Sequence, residues 1–227
     1  MHELDRPIWH ALAGRQRRFA EGSVLALRYH PDISPFAACR DDGPASLAAL
    51  ADLVPETGPL VLLQAGETPV PDGCEPAYAA QGVQLVLRDL RLRTIEHRMV
   101  DLGASDAAEM LELAELTRPG PFLPGTWRLG RFVGVRVDGR LAAMAGERLT
   151  PGDATEVSAV CTHPDFRGRG MAAQLTSVVV ERIVARGETP FLHAFADNRE
   201  AIRLYEALGF VKRRDMSVLA LQRPAPG

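Results

Sequence analysis

The chain has 227 residues, 46% of them apolar and 24% charged, an ordinary globular composition that excludes disordered, collagen-like and coiled-coil chains. Twenty-six basic residues against 29 acidic ones give a formal net charge of −3, without the positive surplus of a dedicated nucleic-acid binder. The length fits one large domain or two small ones at roughly 150 residues each. The longest purely aliphatic stretches, Leu60–Leu63 and Val178–Val180, fall far short of the ~20 residues that span a membrane.

The opening residues Met1-His2-Glu3 through Arg6-Pro7 have no apolar core and are not expected to act as a secretory signal. Cys39, Cys74 and Cys161 are odd in number, widely spaced and without a CxxC pair. They predict reduced thiols in a cytoplasmic protein, with neither a disulfide frame nor a metal site.

Repeats and low-complexity tracts are absent. Trp9–Ala20 predicts a basic amphipathic helix, Val24–Tyr29 a strand and Ser46–Val54 an Ala/Leu-rich helix. Leu60–Gln64 and Val83–Leu87 predict short buried strands on either side of a Pro/Gly loop, Gly66–Pro76. No constellation in this part of the chain suggests chemistry. The charged run Arg88–His97 then carries the chain into a second unit, so that residues 1–95 and 96–227 are expected as an N-terminal lobe and a second domain.

That unit opens with a strand, Met99–Leu102, and a helix to about Thr117 with Ser105 as N-cap. After an irregular loop from Pro119 to Trp127, Phe132–Val137 and Leu141–Leu149 predict strands joined at Asp138-Gly139, a type I′ hairpin signal. Pro151-Gly152-Asp153 turns the chain into the strand Thr155–His163, which Pro164 ends.

The most informative stretch follows: His163-Pro164-Asp165-Phe166-Arg167-Gly168-Arg169-Gly170-Met171-Ala172. It is a basic, glycine-containing loop opening a helix whose buried stripe is Ala172, Leu175, Val179 and Ile183, with Gly187 closing it. Unpaired N–H groups and the partial positive charge of a helix N-terminus attract a phosphate. Gly168 and Gly170 allow close backbone approach, and Arg167 and Arg169 add charge. The loop is not a Walker A sequence, because no Gly-Lys-Ser/Thr follows. Nor does its spacing fit the three-glycine dinucleotide pattern.

A strand Phe191–Ala196 leads to Asp197-Asn198 as N-cap, a helix Arg199–Leu208, Gly209-Phe210 and a last strand Met216–Leu221. Arg167-x-x-Gly170-x-Ala172 resembles the acyl-CoA loop of the GNAT N-acetyltransferases. Asn198 followed by Ala201-Ile202-x-Leu204-Tyr205-Glu206-x-Leu208-Gly209-Phe210 resembles their second signature. The resemblance covers about residues 99–222. Within the superfamily, Glu156–Pro164, Pro190–His193, Gly120-Pro121-Phe122 and Met144–Arg148 look most like the glycine N-acyltransferase-like branch, in which a degenerate GNAT-like half precedes the catalytic one.

This resemblance implies an α/β (α+β) fold with a mixed, mainly antiparallel sheet flanked by helices, and an acetyl transfer from acetyl-CoA to a primary amine in a ternary complex. It implies cofactor contacts at Val160, Cys161, Thr162, Arg167, Gly168, Arg169, Gly170, Met171, Ala172, Asn198 and Tyr205. Tyr205 is the expected acid for the leaving thiolate. His193, Glu147 and Glu156 are the candidate bases, in that order. No metal, nucleic acid or membrane partner is expected. Cys161 reads as a small buried hydrophobe rather than a nucleophile, and Lys212-Arg213-Arg214 as a solvated strand end, with a phosphate contact as the lesser reading. A transferase of bulkier acyl groups to amino acids, a non-catalytic acyl-CoA sensor and a homodimer stay open as alternatives. The acceptor is unspecified, its pocket expected from Pro119–Trp127 and pieces of the N-terminal half.

Overall fold

The computed structural model describes residues 2–91 and 96–224. Helix α1 (Pro7–Ala13) places a proline in its first turn, where no hydrogen bond is lost. It ends at Gly14 rather than running to Ala20. Beyond it Gln16 turns inward, its amide donating to the carbonyl of Arg148 at 2.6 Å and its oxygen accepting from the Tyr29 hydroxyl.

Three short strands, β1 (Ala20–Gly22), β2 (Ala26–Tyr29) and β3 (Ala37–Cys39), form a small antiparallel sheet, against which α2 (Pro44–Leu53) packs. The main sheet takes β4 (Leu60–Ala65), β5 (Glu75–Leu87), β6 (Met99–Leu102), β7 (Phe132–Val137), β8 (Arg140–Glu147), β9 (Ala154–Thr162), β10 (Thr189–Phe195) and β11 (Phe210–Gln222). Their order is β4-β11-β5-β10-β9-β8-β7-β6, antiparallel throughout except where β10 meets β9. This is the expected mixed fold. Both β5 and β11 extend to 13 residues, well beyond the runs predicted for them. Each pairs with the other along most of that length, which stabilises segments whose own hydrophobic alternation is weak. The expected boundary at 95/96 falls beside residues 92–95, outside the described residues; β4 and β5, on its N-terminal side, belong to the same eight-stranded sheet as β6–β11.

Helices α4 (Met171–Val184) and α5 (Arg199–Ala207) cover one face, burying Leu175, Val179, Ile183 and Tyr205 against Leu85, Val157, Leu192 and Phe210. Alternate strand residues point to the opposite face, where α1 and the small sheet bury Ile8, Leu12, Tyr29 and Phe36 against Leu63, Val86, Phe191 and Met216. On that face α3 (Ala107–Thr117) packs Met110 and Leu113 on Met144 and Cys161. Its cap differs from the expectation. Asp106, not Ser105, is the N-cap residue, because a single 3-10 turn (Ala104–Asp106) precedes the helix and the Asp106 carboxylate accepts from the Gly103 N–H. Asp138 and Gly139 both lie at positive φ, as a type I′ hairpin requires. No helix among the described residues is long and apolar enough to cross a membrane.

Candidate active site

Strands β9 and β10 pair only at Ala154–Glu156 with Thr189–Phe191. Beyond that point they part. One residue of β9 is extra: Met144 and Gly146 of β8 face Cys161 and Ser158, leaving Ala159 and Val160 opposite Ala145 alone. Ala159 carries the bulge in the left-handed region at φ 53°. The N–H of His163 donates to Ala142 on β8 at 2.8 Å. Since successive N–H groups of a strand point to opposite edges, that of Thr162 is turned toward the gap left by β10.

Two cavities open in this gap. The larger, of about 540 Å³, is lined by Val160, Cys161, Thr162, the whole loop Phe166–Gly170, the first turn of α4 including Met171 and Ala172, and Asn198 and Tyr205 on α5. Every residue expected from the sequence to touch the cofactor is therefore on one cavity wall. Gly168 and Gly170 sit at φ 76° and 74°, a conformation side chains rarely adopt, and Gly168 has no heavy atom within 4 Å of where a Cβ would stand. Both glycines thus present open backbone at the N-terminus of a 14-residue helix. Asn198 caps α5, its side-chain oxygen accepting from the Ala201 N–H at 3.1 Å.

The smaller cavity, of about 220 Å³, lies on the other side of Tyr205. Its walls are Phe36, Val61, Leu63 and Tyr78 from the N-terminal part of the chain, Pro119–Pro121 from the loop after α3, Val218 from β11, and Arg148 and His193. Val160, Asn198, Ala201, Tyr205, Arg118 and Pro119 line both cavities. The sequence pointed to the Pro119–Trp127 loop and to the N-terminal half for this wall, without naming Phe36, Tyr78, Arg118 or Arg148.

Of the candidate bases, only His193 reaches a cavity. Its Nδ1 lies 2.7 Å from Oε1 of Glu156, and its Nε2 lies 3.0 Å from the amide nitrogen of Gln84, which also donates to the carbonyl of Leu4. A nitrogen of Gln84 can only donate, so Nε2 is the acceptor and Nδ1 carries the proton. Glu156 is fully buried and lines neither cavity. Burial alone would push its carboxyl up; the charge of Arg148, two hydrogen bonds from its guanidinium and the one from His193 outweigh that and bring it down to about 2. Glu156 is thus a permanent anion that orients its neighbours, too weak and too enclosed to act as the base expected of it. Glu147 is set apart: its carboxylate stands 3.0 Å from Arg186, just past the end of α4, and faces neither cavity.

Tyr205 is packed edge-on to Phe210 and lines both cavities. Burial, then the nearby Cys161 and Glu156, push its phenol up to about 12. Burial also pushes the Cys161 thiol up to about 11, which makes it a poor thiolate and agrees with its place in the core. The Lys212-Arg213-Arg214 run lies near the start of β11 at a bulge: Lys212 and Arg214 are exposed, as expected of a solvated strand end, and pair with Asp215 and Asp5, whereas Arg213 is half-buried, donating to Gln84 and pairing with Asp5. Gln84, its link to His193, left no sequence signal beyond one polar residue in the apolar run Val83–Leu87.

Residues 132–218 match the FR47-like protein family model. A protein assigned as a GNAT-family acetyltransferase, from Novosphingobium aromaticivorans DSM 12444, superimposes with a TM-score of 0.92 at 42% identity, over 99% of this chain and 100% of that one. A GCN5-related N-acetyltransferase from Kribbella flavida shares the fold, with a TM-score of 0.69 at 17% identity over 98% and 96% of the two chains. The mycothiol acetyltransferase of Brachybacterium faecium is 30% identical over 91% of this chain, which spans 66% of that relative's length. The N-alpha-acetyltransferase RimI of Mycobacterium tuberculosis is 30% identical over 131 residues, 52% of this chain and 82% of that protein.

Proposed function

Because the chain belongs to the GNAT N-acetyltransferases, we propose that it moves an acetyl group from acetyl-CoA in the larger cavity to a primary amine in the smaller one, by direct attack in a ternary complex. The observation that carries this reading is the meeting of the two cavities at Val160, Asn198 and Tyr205. Its two curated relatives are named for different acceptors, mycothiol and an alpha-amine, so kinship supports the donor chemistry and leaves the acceptor to the site itself.

The residues present fit acetyl-CoA. The open backbone at Gly168 and Gly170, with Arg167 and Arg169 and the N-terminus of α4, suits a pyrophosphate; the unpaired edge of β9 suits an extended amide-bearing arm. When bound, the co-substrate supplies an activated acetyl thioester. The Thr162 and Val160 edge would then offer an N–H to the acyl oxygen, a contact whose loss typically costs about 3 kcal/mol. His193, held by Glu156 with Nε2 as its lone-pair nitrogen, would take the amine's proton directly or through water, exchanging it for the Gln84 amide. A phenol raised to about 12 is a weaker acid than a thiol at roughly 8.5, so Tyr205 serves as a hydrogen-bond donor to the leaving sulfur rather than as a full proton donor. Holding both partners supplies much of the remaining rate.

In this reading the first ninety or so residues form a lobe that walls the acceptor cavity through Phe36, Val61, Leu63 and Tyr78. The finer placement in the glycine N-acyltransferase-like branch, with a degenerate N-terminal half and bulkier acyl groups as the alternative donor, rests on the sequence patterns at Gly120–Phe122, Met144–Arg148 and Glu156–Pro164. Calorimetric titration with acetyl-CoA and longer acyl-CoAs tests the proposal. Saturable binding by the wild type, abolished by Gly170→Glu, is expected; no binding by any acyl-CoA would overturn it. Binding without turnover of any amine would leave the chain a sensor.

A further inference from the structure

Among the described residues the smaller cavity is lined by two arginines and by no carboxylate: Arg118 and Arg148 stand on walls that are otherwise apolar or polar without fixed charge. Arg148 is nearly buried and rigid. Its Nε and Nη2 donate to the two oxygens of Glu156 at 2.8 and 2.7 Å, and its guanidinium lies 4.8 Å above the Phe36 ring. Two of its three nitrogens are thereby committed. The third, Nη1, has no hydrogen-bond partner among the described residues; it faces the Gly120 turn, 3.7 Å from where a Cβ on that glycine would stand. Arg148 and His193 approach the same oxygen of Glu156, each at 2.7 Å. The free donor edge and the candidate base are thus held side by side by one anion. Arg118 closes the mouth shared by the two cavities. It is exposed, forms no ion pair among the described residues, and is held at φ 50° by the end of α3.

We propose that Arg148 is the specificity-determining residue for the acceptor, and that the acceptor is a small apolar amine carrying a carboxylate within a few bonds of its nitrogen. The inference rests on the transferase reading of the site. Glu156 neutralises the charge of Arg148 but leaves the two Nη1 protons without a partner among the described residues, beside the Gly120 turn on the same cavity wall, and able to donate to a carboxylate oxygen. Arg118 adds an unbalanced positive charge at the entrance. Polycationic acceptors meet two arginines and no anion there, which disfavours polyamines. The apolar walls, Phe36, Val61, Leu63 and Val218, match an aliphatic or aromatic side group.

The test uses the full chain with acetyl-CoA and three matched sets: leucine, methionine and phenylalanine, each beside its amide and its decarboxylated amine, with spermidine as the polycation. The expected order is acid over amide over plain amine, with at least about a tenfold step in kcat/KM from acid to amide, and spermidine last. Arg148→Lys keeps a positive charge against Glu156 but lacks the third nitrogen. It should raise KM for the acids by about tenfold or more and flatten the preference over the amides, while acetyl-CoA affinity stays near wild type; any fall in kcat through Glu156 and His193 should be shared by acids and amides alike. Acetyl-CoA binding accompanied by preference for the amides or spermidine, by turnover of none of these amines, or by an unchanged preference in Arg148→Lys would overturn the acceptor assignment alone. Failure to bind acetyl-CoA would overturn the transferase reading beneath it.

Discussion

Oε1 of Glu156 and Nδ1 of His193 stand 2.7 Å apart, just past the last rung that joins β9 to β10. The two strands share one register up to Glu156 and then separate, so the pair sits at the apex of the gap that holds both cavities. The anion fixes which imidazole nitrogen carries the proton, and it does so from inside the core, where water does not compete. An imidazole held this way is oriented by the fold before any substrate arrives.

The same anion makes stability depend on pH. The carboxyl of Glu156 falls from 4.5 to about 2 on folding, so its contribution is fully present above 4.5 and is lost as the pH drops toward 2. That difference corresponds to about 3 kcal/mol. Thermal unfolding followed across this acid range should show a falling Tm in the wild type. Glu156→Gln should be less stable at neutral pH, because Arg148 is left buried without its counter-ion, and should show a shallower acid slope, the remainder coming from other lowered carboxyls such as Glu188.

His193→Ala should lower kcat/KM by about a hundredfold or more. The deficit should shrink as the pH approaches the acceptor's own pKa, because the amine then arrives unprotonated. Glu147→Gln, which alters only the contact to Arg186, should leave turnover within about twofold. Initial rates over a pH series separate the two carboxylate-linked readings directly.

Tyr205→Phe, which removes only a hydrogen-bond donor to the leaving sulfur, should reduce kcat by about tenfold to a hundredfold while acetyl-CoA affinity and Tm change little, because the ring and its packing on Phe210 are kept. With the phenol raised to about 12, its ionisation should not shape the wild-type profile below that range. An alkaline limb that Tyr205→Phe removes would contradict this assignment.

Gly146→Ala would place a methyl group inside the ring of Phe132, which is itself buried and edge-on to Phe122. Overpacking at so closed a position should cost roughly 1–3 kcal/mol, read as a lower denaturant midpoint. β7 and β8 can approach here only because residue 146 has no side chain.

The wall of the larger cavity, proposed for acyl-CoA, was legible because its residues are local. A loop, a helix start and a cap lie within forty residues, and each announces itself through glycine, arginine or asparagine at fixed spacing, from Arg167 to Tyr205. The acceptor half was not, since Phe36, Tyr78, Arg148 and His193 come together only when four separate segments fold. Glu147 ranked ahead of Glu156 among the strand carboxylates, but the fold pairs the first with Arg186, away from both cavities, and the second with Arg148 and His193. Gly14 marked the true end of α1, yet the basic residues after it read as a continuing helix because the inward ties of Gln16, to Arg148 and Tyr29, are long-range. The lengths of β5 and β11 were hidden for the same reason: each is stabilised by the other.

Strand β11 fills the slot between β4 and β5, pairing residues such as Leu221 with Leu60 across most of the chain. Closing so long a loop must precede the contacts that reward it, which makes for slow folding. It also ties the two cavities into one cooperative unit. Cut near residue 95, the C-terminal fragment would keep the loop and α4 but expose the unpaired edges of β10 and β11 to other chains. The two pieces should then recover activity only when mixed, by fragment complementation.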